Sequence, residues 1–122
     1  MPPLRHFGGL RATTSGAQDV QVAQLYDAFT PLVLGSLEEY GFCKPGEAEA
    51  FVENGGLEVG GRLPNNTSGG SLSEAYVHGI NLIIEATRQI RGTSLNQVPG
   101  ARLSLTTSGN MVPTGALLLR GD

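Results

Sequence analysis

The chain reads as one α/β domain, and three features of the sequence predict it. Residues 19–29, DVQVAQLYDAF, alternate as a mostly buried strand does. Residues 71–92 repeat apolar side chains at i, i+3 and i+4, the rhythm of an amphipathic helix. Two short β-prone runs, ARLSLTT and GALLLR, close the chain. The 18 glycines among 122 residues are many for a small helical domain, and they suit repeated tight junctions between strands and helices.

Residues 1–16 are weakly patterned and rich in Pro, Gly, Thr and Ser, so they read as a lead-in or the remnant of a preceding half; the domain proper is 17–122. Its first strand delivers Tyr26 and Asp27 at the carboxyl end, where open α/β sheets place their chemistry. Thr30 is expected to cap a helix that has Pro31 at its first position. Leu32, Val33, Ser36, Leu37 and Tyr40 follow helical spacing, and Gly41 ends it. Lys44-Pro45-Gly46-Glu47 opens a short second helix that Gly55-Gly56 stops. The glycine-rich stretch GGLEVGGRLPNN is a loop with a short strand near Leu57–Val59. Ser71-x-x-Glu74 has the form of a capping box, with Ser73 as the alternative cap. Leu72, Tyr76, Ile80, Ile83, Ile84 and Ile90 then make a stripe, Arg88 and Arg91 occupy the last turn, and Gly92 is a natural terminator. The turn SGNMVPT joins the last two runs into an antiparallel pair. The expected order is β-α-α-loop-α-β-β, a mixed sheet flanked by helices.

Composition narrows the function. Eleven acidic against eight basic residues give a net charge of −3, with no basic run interleaved with aromatics, which argues against nucleic acid. The sole lysine is Lys44, which argues against an anionic membrane surface, and no apolar stretch reaches the roughly 18 residues of a membrane span. The N-terminus lacks a continuous apolar segment of the secretory kind, and the single cysteine, Cys43, fits a reducing cytoplasm. No spacing of His, Cys, Asp and Glu resembles a metal site. GGLEVGG lacks both the spacing and the Lys-Ser/Thr of a phosphate loop.

Two tyrosines remain as chemistry. A phenol has a pKa near 10, so at neutral pH it is a ready proton donor and becomes a base only when its surroundings lower that value. Tyr26 and Tyr76, facing one pocket, could serve as acid and base in carbon–carbon bond cleavage. On periodicity alone the simpler reading is packing, with Tyr76 filling the helix stripe and Tyr26 lying beneath the sheet. Tyr40 is structural. His78 follows Tyr76 by two positions and so points to another face of a helix, solvated or hydrogen-bonded. Asp27 orients the loop beside it, and Cys43 is an inert thiol.

The segment NNTSGGSLSEAYVHGINLIIEATRQIRG resembles the C-terminal half of the thiolase superfamily, in the branch of sterol-carrier-type thiolases and thiolase-like lipid-transfer proteins. The resemblance extends over residues 17–121. Thiolases carry a Gly-His-Pro-x-Gly element whose histidine activates a nucleophilic cysteine; here Ala75-Tyr76-Val77-His78-Gly79 puts Tyr76 in the histidine's place. The Asn-Glu-Ala-Phe element that helps form an oxyanion hole is Tyr26-Asp27-Ala28-Phe29. The late turn, which often carries a second cysteine, is Thr107-Ser108-Gly109-Asn110. These departures resemble the thiolase-like aldolases of bacterial steroid side-chain breakdown, and the resemblance reverses the preference for packing. It implies a retro-aldol cleavage of a β-hydroxyacyl-CoA by Tyr26 and Tyr76, with Gly69, Gly70 and Gly109 as oxyanion donors and His78 as a substrate-binding residue. It implies no cofactor, the substrate being a CoA thioester. It further implies a missing N-terminal half or a homo-oligomer to complete the site, and a partner with an OB-like domain. Alternatives are an acyl-transferring thiolase relative and a non-catalytic module that binds lipid or acyl-CoA.

Overall fold

Three strands make one mixed sheet in the order β1-β2-β3: β1 is Val22–Gln24, β2 is Leu103–Thr107 and β3 is Ala116–Arg120. The computed structural model describes residues 16–74, 78–108 and 115–122. Strand β1 runs parallel to β2 with Ala23 opposite Leu105, and β3 runs antiparallel to β2 with Leu118 opposite Leu105. Side chains alternate across a strand, so the registers sort the sheet into two unlike faces. On one face Ala23, Leu25, Leu103, Leu105 and Leu118 meet Leu37, Phe42, Ala48 and Leu63 in the apolar core. On the other, Val22 is followed by Gln24, Ser104 and Thr106, all buried.

Strand β1 is much shorter than the alternation over 19–29 predicts. A 3-10 turn at Ala17–Asp19 precedes it. Beyond Gln24, side chains replace the ladder: the Leu25 N–H donates to Asn65 Oδ1 at 3.1 Å and the Tyr26 N–H to Thr107 Oγ1 at 2.8 Å. The strand expected near 57–59 does not form. The outer side of β1 is instead covered by residues 64–66, through Ala23 N–H to Pro64 O and Asn66 N–H to Ala23 O, both 3.0 Å.

Helix α1, Thr30–Glu39, carries Pro31 in its first turn, but Phe29 rather than Thr30 is the N-cap residue. Proline still fits there, because the first-turn N–H groups have no partner within the helix. The helix buries Ser36 and Leu37 and ends at Tyr40, just before Gly41 with φ of 79°. Helix α2, Ala48–Glu53, packs on α1 and buries Ala48.

Helix α3, Ile80–Arg91, lies across the sheet, but it begins well after the expected Ser71. His78 (φ 38°) and Gly79 (φ 90°) are left-handed, and a right-handed helix cannot pass through two such residues. The predicted capping box is therefore not made. Glu74 Oε2 instead accepts the Ser68 hydroxyl and the Asn81 amide, each at 3.0 Å. The other end is as expected: Gly92 is left-handed (φ 73°) and Thr93 N–H returns to Arg88 O at 2.9 Å.

The buried face of α3 is also not the predicted one. Leu82, Glu85, Ala86 and Gln89 face inward, whereas Ile80, Ile83 and Ile84 are exposed. Two of the four inward residues are polar, matching the polar sheet face beneath them and the hydrogen-bonding loop beyond the helix.

Candidate functional site

The carboxyl end of β2, the start of β3 and the start of α3 converge on one cleft. It has a volume of about 270 Å³ and includes His78, Ile80, Ile83, Thr107, Ser108 and Leu117 in its walls. Isoleucines and a leucine from α3 and β3 supply an apolar side, and the hydroxyls of the β2 end supply a polar one. Thr107 belongs to both the cleft and its support: it is 1% exposed, and its Oγ1 accepts the Tyr26 N–H. Tyr26 is thereby fixed by its backbone beside the cleft wall, and its residue is half-buried. His78 sits on the rim, exposed and in a left-handed conformation that non-glycine residues seldom adopt. Tyr76 and Gly109, like nearly all of the lead-in, lie outside the described residues.

The segment leading toward Tyr76 is strapped to the end of β1. Asn66, itself left-handed at φ 49°, donates its side-chain amide to Leu25 O at 2.9 Å. Asp27, 4% exposed, receives the Ser71 N–H on Oδ1 at 2.8 Å and the Leu72 N–H on Oδ2 at 3.4 Å. Between these anchors Gly69 and Gly70 are both left-handed, at φ 102° and 69°. A Cβ on Gly70 would collide with the Asp27 carboxylate, so glycine is required both for the turn and for the close approach. The Gly69 N–H donates to Asn66 O at 2.8 Å, so it closes its own turn. The Gly70 carbonyl receives the N–H groups of Ser73 and Glu74.

A second set of polar contacts holds this segment from behind. Thr67 donates its hydroxyl to Glu85 Oε1 at 2.6 Å, and Ser94 donates its own to the same oxygen. Gln89 Nε2 lies 2.9 Å from Thr67 Oγ1 and 2.9 Å from Asn96 O, and the Val98 N–H donates to Gln89 Oε1. Asn96 Nδ2 reaches Thr67 O at 2.7 Å. Sequence reasoning missed Thr67, Glu85, Gln89 and Thr107. The available signal for Glu85 and Gln89 was their spacing of four, which puts both polar residues on one face of the helix with Leu82 and Ala86.

Cys43 lies elsewhere. With Glu47, Phe51 and Arg62 it lines a separate groove of about 450 Å³, in which the Arg62 guanidinium sits 5.6 Å above the Phe51 ring. Burial, reinforced by Glu38 and Glu47 and opposed by Arg62, pushes the Cys43 thiol above its ordinary pKa. That is the reverse of what activates a nucleophilic thiol. No helix among the described residues is long and apolar enough to cross a membrane.

Fold and cleft together define a class. Residues 9–119 match the family described as "Thiolase C-terminal domain-like", and the chain belongs to that family. Within it, the chain is 58% identical over 101 residues to 17-hydroxy-3-oxo-4-pregnene-20-carboxyl-CoA lyase of Mycobacterium tuberculosis, covering 83% of this chain and 26% of that protein. It is 57% identical over 104 residues to the steroid side-chain-cleaving aldolase of Thermomonospora curvata, covering 85% of this chain and 27% of that one. Rat sterol carrier protein 2 is more distant, at 35% identity over 74% of this chain and 17% of its own length. Among solved structures, the "Ltp2-ChsH2(DUF35) aldolase" superposes with a TM-score of 0.86 at 55% identity, covering 88% of this chain and 28% of that one. The chain thus spans about a quarter of the length of the two bacterial relatives.

Proposed function

We propose that this chain is a C-terminal part of a thiolase-like aldolase that cleaves a carbon–carbon bond in a steroid-type β-hydroxyacyl-CoA. It would act only with the remainder of the protein, and alongside a partner protein of the OB-like kind. The observation that carries the reading is its 57–58% identity to two enzymes named as side-chain lyase or aldolase. The cleft supports it: Tyr26 is anchored through Thr107 to the cleft wall, and Ile80, Ile83 and Leu117 line the same space as the hydroxyl-bearing end of β2.

In this reading Tyr26, as phenolate, removes the proton from the substrate's β-hydroxyl. That oxygen becomes a ketone as the bond between the α and β carbons breaks, and the electron pair passes into an enolate on the thioester. Tyr76, as phenol, returns a proton to the α carbon. Proton exchange between the two phenols or with water then restores the starting state. Gly70 and Gly109 offer backbone N–H groups for the enolate oxygen, and Gly69 joins them only by sharing its bond to Asn66. His78 binds substrate at the rim. The chemistry requires the CoA thioester and two phenols, and no further cofactor.

Within this chain the one thiol, Cys43, lines another groove and holds its proton more tightly than an ordinary thiol, so an acyl-transferring reaction would need its reactive thiol from the remainder of the protein. The test is Tyr26→Phe and Tyr76→Phe in the assembled enzyme. Each should lower kcat by on the order of 100-fold or more, in the range for loss of a positioned acid or base. Cleavage at the parental rate by both variants would refute the proposal.

A further inference from the structure

Asp27 is buried, charged, and directly follows Tyr26, yet the chemistry above gives it no role. Its position in the fold does. A carboxylate accepting two backbone N–H groups makes charge-assisted bonds, stronger and more directional than neutral ones. Here both N–H groups belong to the turn at Ser71 and Leu72, four to five positions before Tyr76 in the sequence. The Asp27 backbone is fixed on the other side, since its neighbour Tyr26 is bonded to Thr107 and Leu25 is bonded to Asn65 and Asn66. Gly70 allows the turn to approach the carboxylate more closely than any residue with a Cβ would.

We propose that Asp27 is a positioning residue: its carboxylate clamps the turn at 70–72 to the end of β1 and so fixes the spacing between the Tyr26 segment and the segment that carries Tyr76. This rests on the aldolase reading, in which two phenols must meet one substrate with little tolerance. A displacement of about 1 Å can cost on the order of 100-fold in rate. The residue touches no substrate, so its removal should leave binding largely intact and slow the chemical step.

The substitution Asp27→Asn preserves shape but replaces one acceptor oxygen with an NH₂ group that faces a donor. Hydrogen exchange in the full chain should quicken by about ten-fold or more at the Ser71 and Leu72 amides, with β2 and α3 unchanged. In the assembled enzyme kcat should fall by about 100-fold with KM held within a few-fold. Asp27→Glu keeps both acceptor oxygens and should recover part of the exchange protection; it carries the same measurements if Asp27→Asn does not fold. Unchanged exchange at these two amides would overturn the clamp, as would equal acceleration throughout β2 and α3, which would mark a general loss of stability. A parental kcat in a variant whose turn is loosened would overturn the positioning role. If the unmodified assembled enzyme cleaves nothing, the aldolase reading is what fails, and exchange alone decides whether Asp27 holds the turn.

Discussion

Thr107 and Cys43 show how differently two small side chains are used. Thr107 terminates the ladder between β1 and β2 with its hydroxyl and turns its residue into a wall of the cleft, so one buried group fixes Tyr26 and shapes the site. Cys43 is placed where its anion is disfavoured, first by burial and then by Glu38 and Glu47. Its folded pKa is raised, so the folded chain holds the thiol proton more tightly than the unfolded chain does. That contribution to stability is fully present below the ordinary thiol pKa and is lost as pH rises through the higher folded value. Alkylation of Cys43 by iodoacetamide should therefore run slower in native buffer at pH 8 than in urea, with its inflection at a higher pH. An inflection at or below that of the unfolded chain would contradict this assignment.

At the scale of the element, α3 is unusual in what it hides. A helix packed on a sheet normally turns its most apolar stripe inward. Here Glu85 and Gln89 go inward because Thr67, Ser94, Asn96 and Val98 satisfy them, tying the helix to the loops on both sides of it. Glu85→Ala leaves the Thr67 and Ser94 hydroxyls and the Gln89 amide without that acceptor. We expect a loss of about 2–4 kcal/mol in urea unfolding. Glu85→Gln keeps a carbonyl acceptor at the same reach and should cost less. Equal stability of the Ala variant would show that the network contributes little.

For the whole molecule the exposed stripe matters. Ile80 is 51% exposed, Ile84 45% and Leu117 43%, so apolar surface lies bare on α3 and on the edge strand β3. The chain spans about a quarter of its bacterial relatives, and in the reading proposed here the remainder of the protein would cover this surface. Without that cover the chain should self-associate, because apolar area gains roughly 25 cal/mol per Å² on leaving water. Ile80→Lys combined with Ile84→Glu should shift it toward a monomer of 12.7 kDa by sedimentation velocity. A parental chain that stays monomeric at high micromolar concentration would contradict the expectation.

Local chemistry made much of this legible. The α/β class, the order of strands and helices, the antiparallel closing pair and the Gly92 terminator followed from residues that act on their neighbours, through alternation and glycine conformation, and the family from the resemblance carried by residues 65–92. The placement of Tyr26 at a strand end followed in the same way. Only the tertiary structure decided the rest. The β1 ladder gives way to Asn65 and Thr107, the long helix is cut at His78 and Gly79, and α3 turns a half-polar face to the sheet. Each depends on a hydrogen-bond partner distant in sequence or on a face of the sheet that local periodicity does not register. Burial follows from which surface is offered to a side chain and whether its polar atoms are met there, and that surface exists only once the chain has folded.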